Sequence, residues 1–306
     1  TWRTIGSTLA NMVIGVATPM VAYVVVDGKT VMSGSRMTII AGVFSICAIL
    51  CYIVCFKLTR ERVEVPASSQ KVSASAIFKS IFTNRALLGI IVAAIFVLLS
   101  QLTVMSLAGY VYPNVYGSAA AQSTASLLGT VVMLIVCAPF ASKLAAKFGK
   151  KELAVASSIC SALVWLVCLI WRPASVWGFV ACYILANIGM GFFNTIIWAM
   201  ITDVIDDAEV RSGIREDGTI YSVYSFARKL GQAFSSGLVG ALLGIIGYTE
   251  ATAFDPAVTR GIFNMACIAP IIGFVCIVLA LVFLYPLNKK KVEENVAALA
   301  ARRNSK

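Results

Sequence analysis

Residues 220–238 read IYSVYSFARKLGQAFSSGL, and this stretch decides the fold because it sets two adjacent cations inside a long apolar helix. At about 1.5 Å per residue, Lys229 lies ~14 Å from Ile220, close to half the depth of a hydrocarbon core of ~30 Å. A cation that faces lipid there costs about 3 kcal/mol. We therefore predict that Arg228 and Lys229 face protein, water or ligand. Snorkelling of their long side chains to the headgroups is the alternative, which the depth disfavours.

The composition places this helix in a bilayer. Of the 306 residues, 59% are hydrophobic and 13% are charged, and the mean hydropathy is +0.89. Long apolar stretches in series predict an all-α, polytopic membrane bundle rather than a barrel. The chain begins at the mouth of a helix without Met, so residues upstream are expected. The predicted spans are eight: 4–26, 36–56, 86–108, 121–141, 152–171, 176–202, 220–247 and 262–285.

The basic residues predict the topology. Together with Arg3, one set of loops and the tail hold nineteen Lys and Arg, whereas the alternate loops hold only Lys29, Arg36, Arg172 and Arg260. The positive-inside rule then predicts a multi-pass plasma-membrane protein with a cytoplasmic C-terminus. This bias and contact with anionic lipid explain the net charge of +11, and no nucleic-acid partner is expected.

The ionisable side chains argue against an enzyme. The chain has no histidine, and all 14 acidic residues lie in loops, in the tail or at span ends. Arg228 and Lys229 therefore have no embedded counter-ion on this chain. Without histidine or an embedded acid there is no evident general base, so we predict no catalytic residue, no bound metal and no cofactor. A membrane-embedded enzyme or lipid-handling protein stays as the alternative, because upstream residues could supply such groups.

The longest internal polar segment divides the chain. Residues 57–85 are predicted to form a cytoplasmic central loop, in which Ala76 to Phe82 has the spacing of a short surface helix. Six spans follow it, as in the second half of a twelve-span secondary transporter. The predicted parts are two helices of an N-terminal bundle over 1–56, the loop, a six-helix bundle over 86–286 and a basic tail over 287–306.

Polar stripes at helical spacing mark a candidate cavity. They are Arg3, Ser7, Asn11, Gly15 and Thr18 in the first span, Gln101 and Thr103 in the third, Asn187, Gly191, Asn194 and Trp198 in the sixth, and Tyr221, Ser222, Tyr224, Ser225, Arg228, Lys229 and Gln232 in the seventh. An aromatic plane beside amides, hydroxyls and cations suits a sugar. The alternative for each stripe is helix packing through small and polar residues. We assign Gly240 and Gly244 to packing.

A charged segment, DVIDDAEVRSGIREDG, follows the sixth span at 203–218. Its density of both signs is unusual in a chain so poor in charge. It predicts a cytoplasmic gate whose ion pairs join the two halves of the protein, formed by Asp203, Asp206, Asp207, Arg211 and Arg215. The alternative is a solvated turn, in which exposed ion pairs contribute little.

Residues 203–248 resemble the glycoside-pentoside-hexuronide:cation symporters, the melibiose permease-like family of the major facilitator superfamily. TNRALLG at 83–89 and WRTIGSTLAN at 2–11 are similar to that family's entries into its seventh and fifth spans. The chain would then be spans five to twelve of twelve. The resemblance implies that Arg3, Tyr224 and Ser225 belong to the sugar site and that Lys229 interacts with embedded carboxylates. In one departure, Asn194 stands where a tryptophan of the tenth span is expected, with Trp198 one turn later.

The residues and the resemblance together predict a secondary transporter for a glycoside or related sugar, coupled to Na⁺ or H⁺ and acting as a monomer. The coupling cation is expected on helices upstream of this chain. The alternative is an anionic sugar, such as a hexuronide, that Arg228 or Lys229 binds directly. The predicted substrate-binding residues are Arg3, Asn11, Asn194, Trp198, Tyr224, Ser225 and Lys229, with Arg228 and Lys229 in charge coupling.

Overall fold

The structure is a computed structural model, and it describes residues 6, 10, 23–26, 29–32, 34–59, 84–215, 217–249 and 251–304. The chain divides into two compact units, Thr1–Val72 and Ser73–Lys306, and the boundary lies inside the segment predicted as the central loop. The surface helix predicted over 76–82 lies outside the described residues.

Within residues 23–59, the described part of the first unit contains a β-hairpin and one long helix. Strand β1, Tyr23–Val26, pairs antiparallel with β2, Lys29–Met32, and α1 spans Gly34–Leu58. The prediction of a helical span over 4–26 is therefore wrong for its last four residues. Three consecutive β-branched valines favour a strand there, and the Asp27-Gly28 sequence that follows them is typical of a tight hairpin. Helix α1 corresponds to the span predicted over 36–56.

The second unit is helical throughout its described part, 84–304 without 216 and 250. Each of the six spans predicted there has a helical counterpart, and a helix in the basic tail is an addition that the sequence analysis missed. The helices are α2 Arg85–Tyr110, α3 Ala119–Val132, α4 Ala138–Phe148, α5 Lys150–Trp171, α6 Val176–Ser212, α7 Asp217–Ile245, α8 Pro256–Leu279 and α9 Lys289–Asn304. Short π-helical turns cover Val111–Val115, Met133–Cys137 and Ala280–Leu284.

Among the described residues, five helices are long and apolar enough to cross a membrane, namely α1, α2, α5, α6 and α8. The spans of α2 and α8 include the π-helical turns that follow these helices. The bent pair α3 and α4, with a 47° break, counts as a sixth span. Helix α7 is not among them, since Arg228, Lys229 and a run of small and polar residues interrupt its apolar sequence. The all-α membrane class is confirmed, and in the described part the β-hairpin is the departure from it.

Close helix contacts hold α7 in place. Helix α2 packs against both α7 and α8, α8 packs against α5, and α5 packs against α6. At the α2–α7 contact, a Cβ added to Gly231 would lie 2.8 Å from the carbonyl oxygen of Ile95 and 3.1 Å from its Cα. Backbones approach this closely only where a residue lacks a side chain. Gly231 therefore fixes the position of α7 on α2.

Side-chain caps set where two of these helices begin. The Asn84 side chain accepts hydrogen bonds from the backbone N–H groups of Ala86 and Leu87, both at 3.1 Å, and so starts α2. The Ser175 side chain accepts from the Trp177 N–H at 3.3 Å and starts α6. Each cap contributes about 1 kcal/mol by satisfying N–H groups that the helix itself leaves free.

Candidate functional site

Arg228 of α7 is held against two aromatic rings. Its guanidinium carbon lies 5.3 Å from the ring centre of Trp198 on α6 and 5.8 Å from that of Tyr224. Nη1 donates a hydrogen bond to the Tyr224 hydroxyl at 3.3 Å. The two rings meet edge to face, with centres 5.4 Å apart and planes at 77°. Trp198, Tyr224 and Arg228 form one unit between α6 and α7, here named the Arg228 cluster.

The guanidinium charge is available to a ligand. Within the described ranges, none of the ion pairs at 4.0 Å or closer involves Arg228. Tyr224 is fully buried, whereas Trp198 and Arg228 are half-buried, so one side of the cluster is open. Cation–π contacts of this kind contribute about 0.5–2 kcal/mol, which fixes the side chain without neutralising its charge.

Lys229 has different surroundings from its neighbour. Its Nζ donates to the Gln232 side-chain oxygen at 3.1 Å, one turn further along α7, and the residue is exposed in the second unit. Ser222 and Ser225 are exposed on the same side of the helix. This serine and lysine surface is the polar face of α7 that the described helices leave uncovered.

Amide and hydroxyl pairs connect α2 to the two helices of the Arg228 cluster. The Asn194 amide nitrogen donates to the side-chain oxygen of Gln101 at 3.4 Å, which joins α6 to α2. The Thr103 and Ser235 hydroxyls share a buried hydrogen bond of 3.2 Å, which joins α2 to α7. Gln101 and Asn194 are half-buried, so they keep capacity for a ligand.

The residues of the stripe predicted in the sixth span have two different kinds of surroundings in the structure. Trp198 contacts Arg228 of α7 and Asn194 contacts Gln101 of α2, and lining of a cavity by these two residues stays a prediction. At Gly191, by contrast, an added Cβ would lie 2.6 Å from Cys137 Sγ, so this glycine serves helix packing. Asn187 donates to the Tyr183 carbonyl within its own helix. Two of the predicted substrate-binding residues, Arg3 and Asn11, lie outside the described residues.

The charged segment after the sixth span forms a network, here named the cytoplasmic charge cluster after the membrane side that the basic residues predict for it. Arg215 donates to Asp206 at 3.0 Å, to Glu209 at 2.8 Å and to Asp217 at 2.8 Å, and Arg211 pairs with Asp207. Burial alone lowers the pKa of Arg215, but its hydrogen bonds to the three carboxylates raise this pKa above its ordinary value. Arg215 therefore stays charged and ties the end of α6 to the start of α7.

Three further residues hold this cluster, and sequence reasoning missed their role. Lys150 at the start of α5 pairs with Asp203 at 2.6 Å. From α9, Asn295 donates to Asp207 at 3.0 Å, and Arg302 donates to the last carbonyls of α6 at 3.3 and 3.0 Å. All these partners belong to the second unit. Ion pairs between the two halves of the protein remain a prediction.

A polytopic helical bundle with cations, amides and aromatic rings held between its helices has the architecture of a secondary transporter. The sequence pattern of the family described as MFS/sugar transport protein matches residues 1–289. The chain belongs to this family, and the resemblance to the glycoside-pentoside-hexuronide symporters is confirmed.

Three similar proteins illustrate the relationship. The glucuronide carrier protein homolog of Escherichia coli K12 is 28% identical over 264 residues, which cover 85% of this chain and 56% of the relative. The uncharacterized symporter YjmB of Bacillus subtilis 168 is 29% identical, with coverages of 95% and 62%. A putative sulfoquinovose importer of Salmonella typhimurium LT2 is 27% identical, with coverages of 99% and 63%. The chain thus spans less than two thirds of each relative, and all three carry names of transporters rather than enzymes.

Proposed function

We propose that the protein is a secondary active transporter that moves a glycoside or related sugar inward together with Na⁺ or H⁺. Membership of a sugar-transport family supports this class. The observation that carries the proposal for this chain is the Arg228 cluster, which holds an indole, a phenol and a cation together between α6 and α7. A sugar needs these groups, because its apolar C–H face stacks on a ring while its hydroxyls take hydrogen bonds.

The residues of α6 and α7 divide the tasks of binding in this proposal. The half-buried Trp198 ring stacks on the sugar, and Asn194 and Arg228 pair with its hydroxyls. Ser225 and Lys229 lie on the uncovered polar face of α7, where the other half of a transporter contributes its groups. A midplane site shared by two rocking halves is the usual arrangement for alternating access.

Cation coupling is assigned to Lys229. An exposed ammonium at the centre of a membrane helix requires a negative partner. The family resemblance implies that this partner is a set of carboxylates on helices upstream, which would also bind the coupling ion. Lys229 would then exchange partners when the cation or the sugar binds. A plasma-membrane location, a cytoplasmic C-terminus and a monomeric state belong to the same proposal.

One observation favours an anionic sugar as a second candidate. Arg228 forms no ion pair within the described ranges, so its charge can neutralise a carboxylate or sulfonate of the substrate directly. Two of the relatives are named for a glucuronide and for sulfoquinovose, which are both acidic sugars. On this second proposal, Arg228 selects the substrate by charge.

Uptake into proteoliposomes tests both proposals. Imposed Na⁺ and H⁺ gradients are applied with a radiolabelled galactoside, and glucuronides compete against neutral galactosides. A neutral sugar is preferred if the first proposal holds, and a glucuronide if Arg228 selects an anion. If neither gradient drove accumulation of any sugar, cation-coupled transport would be contradicted.

The variant Lys229→Leu isolates the coupling step. We expect it to abolish gradient-driven accumulation, because the cavity loses the charge that changes partner. Protein levels in the membrane should stay near those of the wild type, since Lys229 is exposed and its side chain makes one hydrogen bond among the described residues. Immunoblots measure that level. A variant that accumulates sugar as the wild type does would overturn the role of Lys229.

A further inference from the structure

A second concave site lies at the end of the second unit that is opposite the cytoplasmic charge cluster. It forms where the turn between α5 and α6 meets the start of α8, and its volume is about 350 Å³. Residues that line it include Tyr116, Arg172, Pro173, Thr259, Arg260 and Phe263. None of them belongs to the Arg228 cluster, and the transport proposal gives this pocket no role.

The described lining of the pocket is positively charged. Arg172 and Arg260 are two of only four basic residues that the topology assigns to the outer side, and both line this one pocket. No acidic residue is among the described residues of its lining. The Arg172 guanidinium donates to the Asn264 side-chain oxygen at 3.2 Å, which is a neutral acceptor. In the described part of the chain, neither arginine forms an ion pair.

The walls of the pocket are rigid. The rings of Tyr116 and Phe263 both pack on Phe179, with centres 5.7 and 5.9 Å from its ring centre. The Tyr116 hydroxyl donates to the Pro173 carbonyl at 3.0 Å, which fixes the turn that carries Arg172. A ligand in this pocket would therefore meet a frame that is already formed, and less of its binding energy is lost to ordering.

Two tryptophans set the depth of the pocket in the membrane. Trp171 and Trp177 flank the turn on either side, and they are 61% and 57% exposed. Exposed tryptophans concentrate at the level of the lipid headgroups. Arg172 lies on this turn and Arg260 lies near the start of α8. Both arginines are therefore placed at the height of the lipid phosphates.

The larger cavity beside α9, about 510 Å³, is a weaker candidate for an anion. Its lining mixes Arg211, Lys290 and Lys291 with Asp207 and Glu294. Two of those cations already have carboxylate partners, since Arg211 pairs with Asp207 and Lys291 with Glu294.

We propose that the pocket of Arg172 and Arg260 binds the phosphate of an anionic phospholipid, such as phosphatidylglycerol, at the outer membrane interface. Two guanidinium groups offer planar, paired N–H donors that match phosphate oxygens. The lipid's acyl chains would run along the neighbouring apolar surface, where Phe254 is 73% exposed. The bound lipid would join the α5–α6 turn to the start of α8.

Native mass spectrometry of the protein in detergent tests this proposal, with phosphatidylglycerol and zwitterionic phosphatidylcholine added in parallel. We expect one phosphatidylglycerol to bind more tightly than phosphatidylcholine, and the double variant Arg172→Gln/Arg260→Gln to weaken that binding about 10-fold or more. Arg36→Gln is the matched control, because Arg36 is also predicted on the outer side of the membrane but belongs to the first unit and does not line the pocket. The variant Arg172→Lys/Arg260→Lys keeps the charge but loses the paired N–H geometry, so its affinity should fall between those of the wild type and the Gln double variant.

Three results would overturn the assignment to a lipid. They are equal affinity for the two lipids, unchanged binding by the Gln double variant, and an equal loss in the Arg36→Gln control. Titration with inorganic phosphate in phosphatidylcholine nanodiscs separates the two sources of the anion. Arginine-dependent binding of free phosphate without preference for phosphatidylglycerol would show a solute site instead. If the Gln double variant fails to fold, the comparison of the two lipids on the wild type and the Lys variant still decides.

Discussion

Arg228 and Lys229 are adjacent in sequence, yet each residue along a helix turns by about 100°, so they point in different directions. Arg228 reaches Trp198 on α6 and stays half-buried, whereas the hydrogen bond of the Lys229 side chain within the described residues goes to Gln232 of its own helix. One cation is therefore fixed in position by aromatic rings, and the other is free to change its partner. This difference supports separate tasks for them, the first in binding substrate and the second in coupling.

The Tyr224 hydroxyl fixes the rotamer of Arg228, and Tyr224→Phe removes that hydroxyl while keeping the ring. Loss of a hydrogen bond to a charged group costs about 1.5–3 kcal/mol, part of which the remaining cation–π contacts offset. We expect substrate affinity to fall about 5- to 10-fold, or ~1–1.4 kcal/mol. Substrate binding in detergent, followed by calorimetry, measures this change.

Tyr221→Phe is the control for that substitution, because Tyr221 lies one turn earlier on α7 and is 38% exposed. Its loss of a hydroxyl should leave the Arg228 cluster intact. Equal affinities for Tyr224→Phe and the wild type would show that the hydroxyl does not position the guanidinium for substrate.

At the scale of the helix, Gly231 controls the distance between α2 and α7. Gly231→Ala puts a methyl group 2.8 Å from the Ile95 carbonyl oxygen, and backbone atoms cannot move aside as a flexible side chain would. Overpacking of this kind costs about 1–3 kcal/mol. We expect a lower melting temperature in detergent and slower uptake, because a displaced α7 moves Tyr224 and Arg228 away from Trp198 on α6.

Gly237→Ala on the same helix is the matched control. No atom of the described residues lies within 4 Å of a Cβ built at Gly237, so this variant should melt at or slightly above the temperature of the wild type. If both variants lowered the melting temperature equally, the effect would belong to glycine in α7 generally and not to the contact with α2.

Features that depend on the local sequence could be predicted, whereas features that depend on contacts between residues distant in sequence could not. The bilayer demands long apolar helices, so the helices of the second unit follow from hydropathy alone. The same signal misled at residues 23–26, because a valine run is apolar in a strand as well. It also missed α9, whose composition is polar.

Contacts between helices were harder to predict than the helices themselves. Spacing assigned packing to Gly240 and Gly244, but in the described part no atom lies within 4 Å of a Cβ built at either. Gly231 makes the close contact instead. The spacing of glycines in a sequence shows that one face of a helix lacks side chains, but it does not show which face packs against another helix. The partners Lys150 and Arg302 were missed for the same reason, since they are distant in sequence from the carboxylates and carbonyls that they bind.

At the scale of the whole molecule, the second unit is strongly polarised from end to end. Lys150, Arg211, Arg215 and Arg302 gather at one end, around the carboxylates of α6. The other end carries Arg172 and Arg260. Such an asymmetry orients a membrane protein during insertion, with the basic end in the cytoplasm. The orientation predicted in this way assigns the two-arginine pocket to the outer leaflet.

Cysteine labelling tests this orientation in a variant whose nine native cysteines are replaced by alanine. Ala174→Cys lies in the α5–α6 turn, and Ile214→Cys lies between α6 and α7; both positions are exposed and outside the helices. We expect a membrane-impermeant maleimide to label position 174 in intact cells and position 214 only in inverted vesicles. The reverse pattern would put the cytoplasmic charge cluster and the C-terminus outside the cell and move the two-arginine pocket to the inner leaflet. Since the charge cluster would then face the outside, the proposed gate would have to control entry of the sugar from that side.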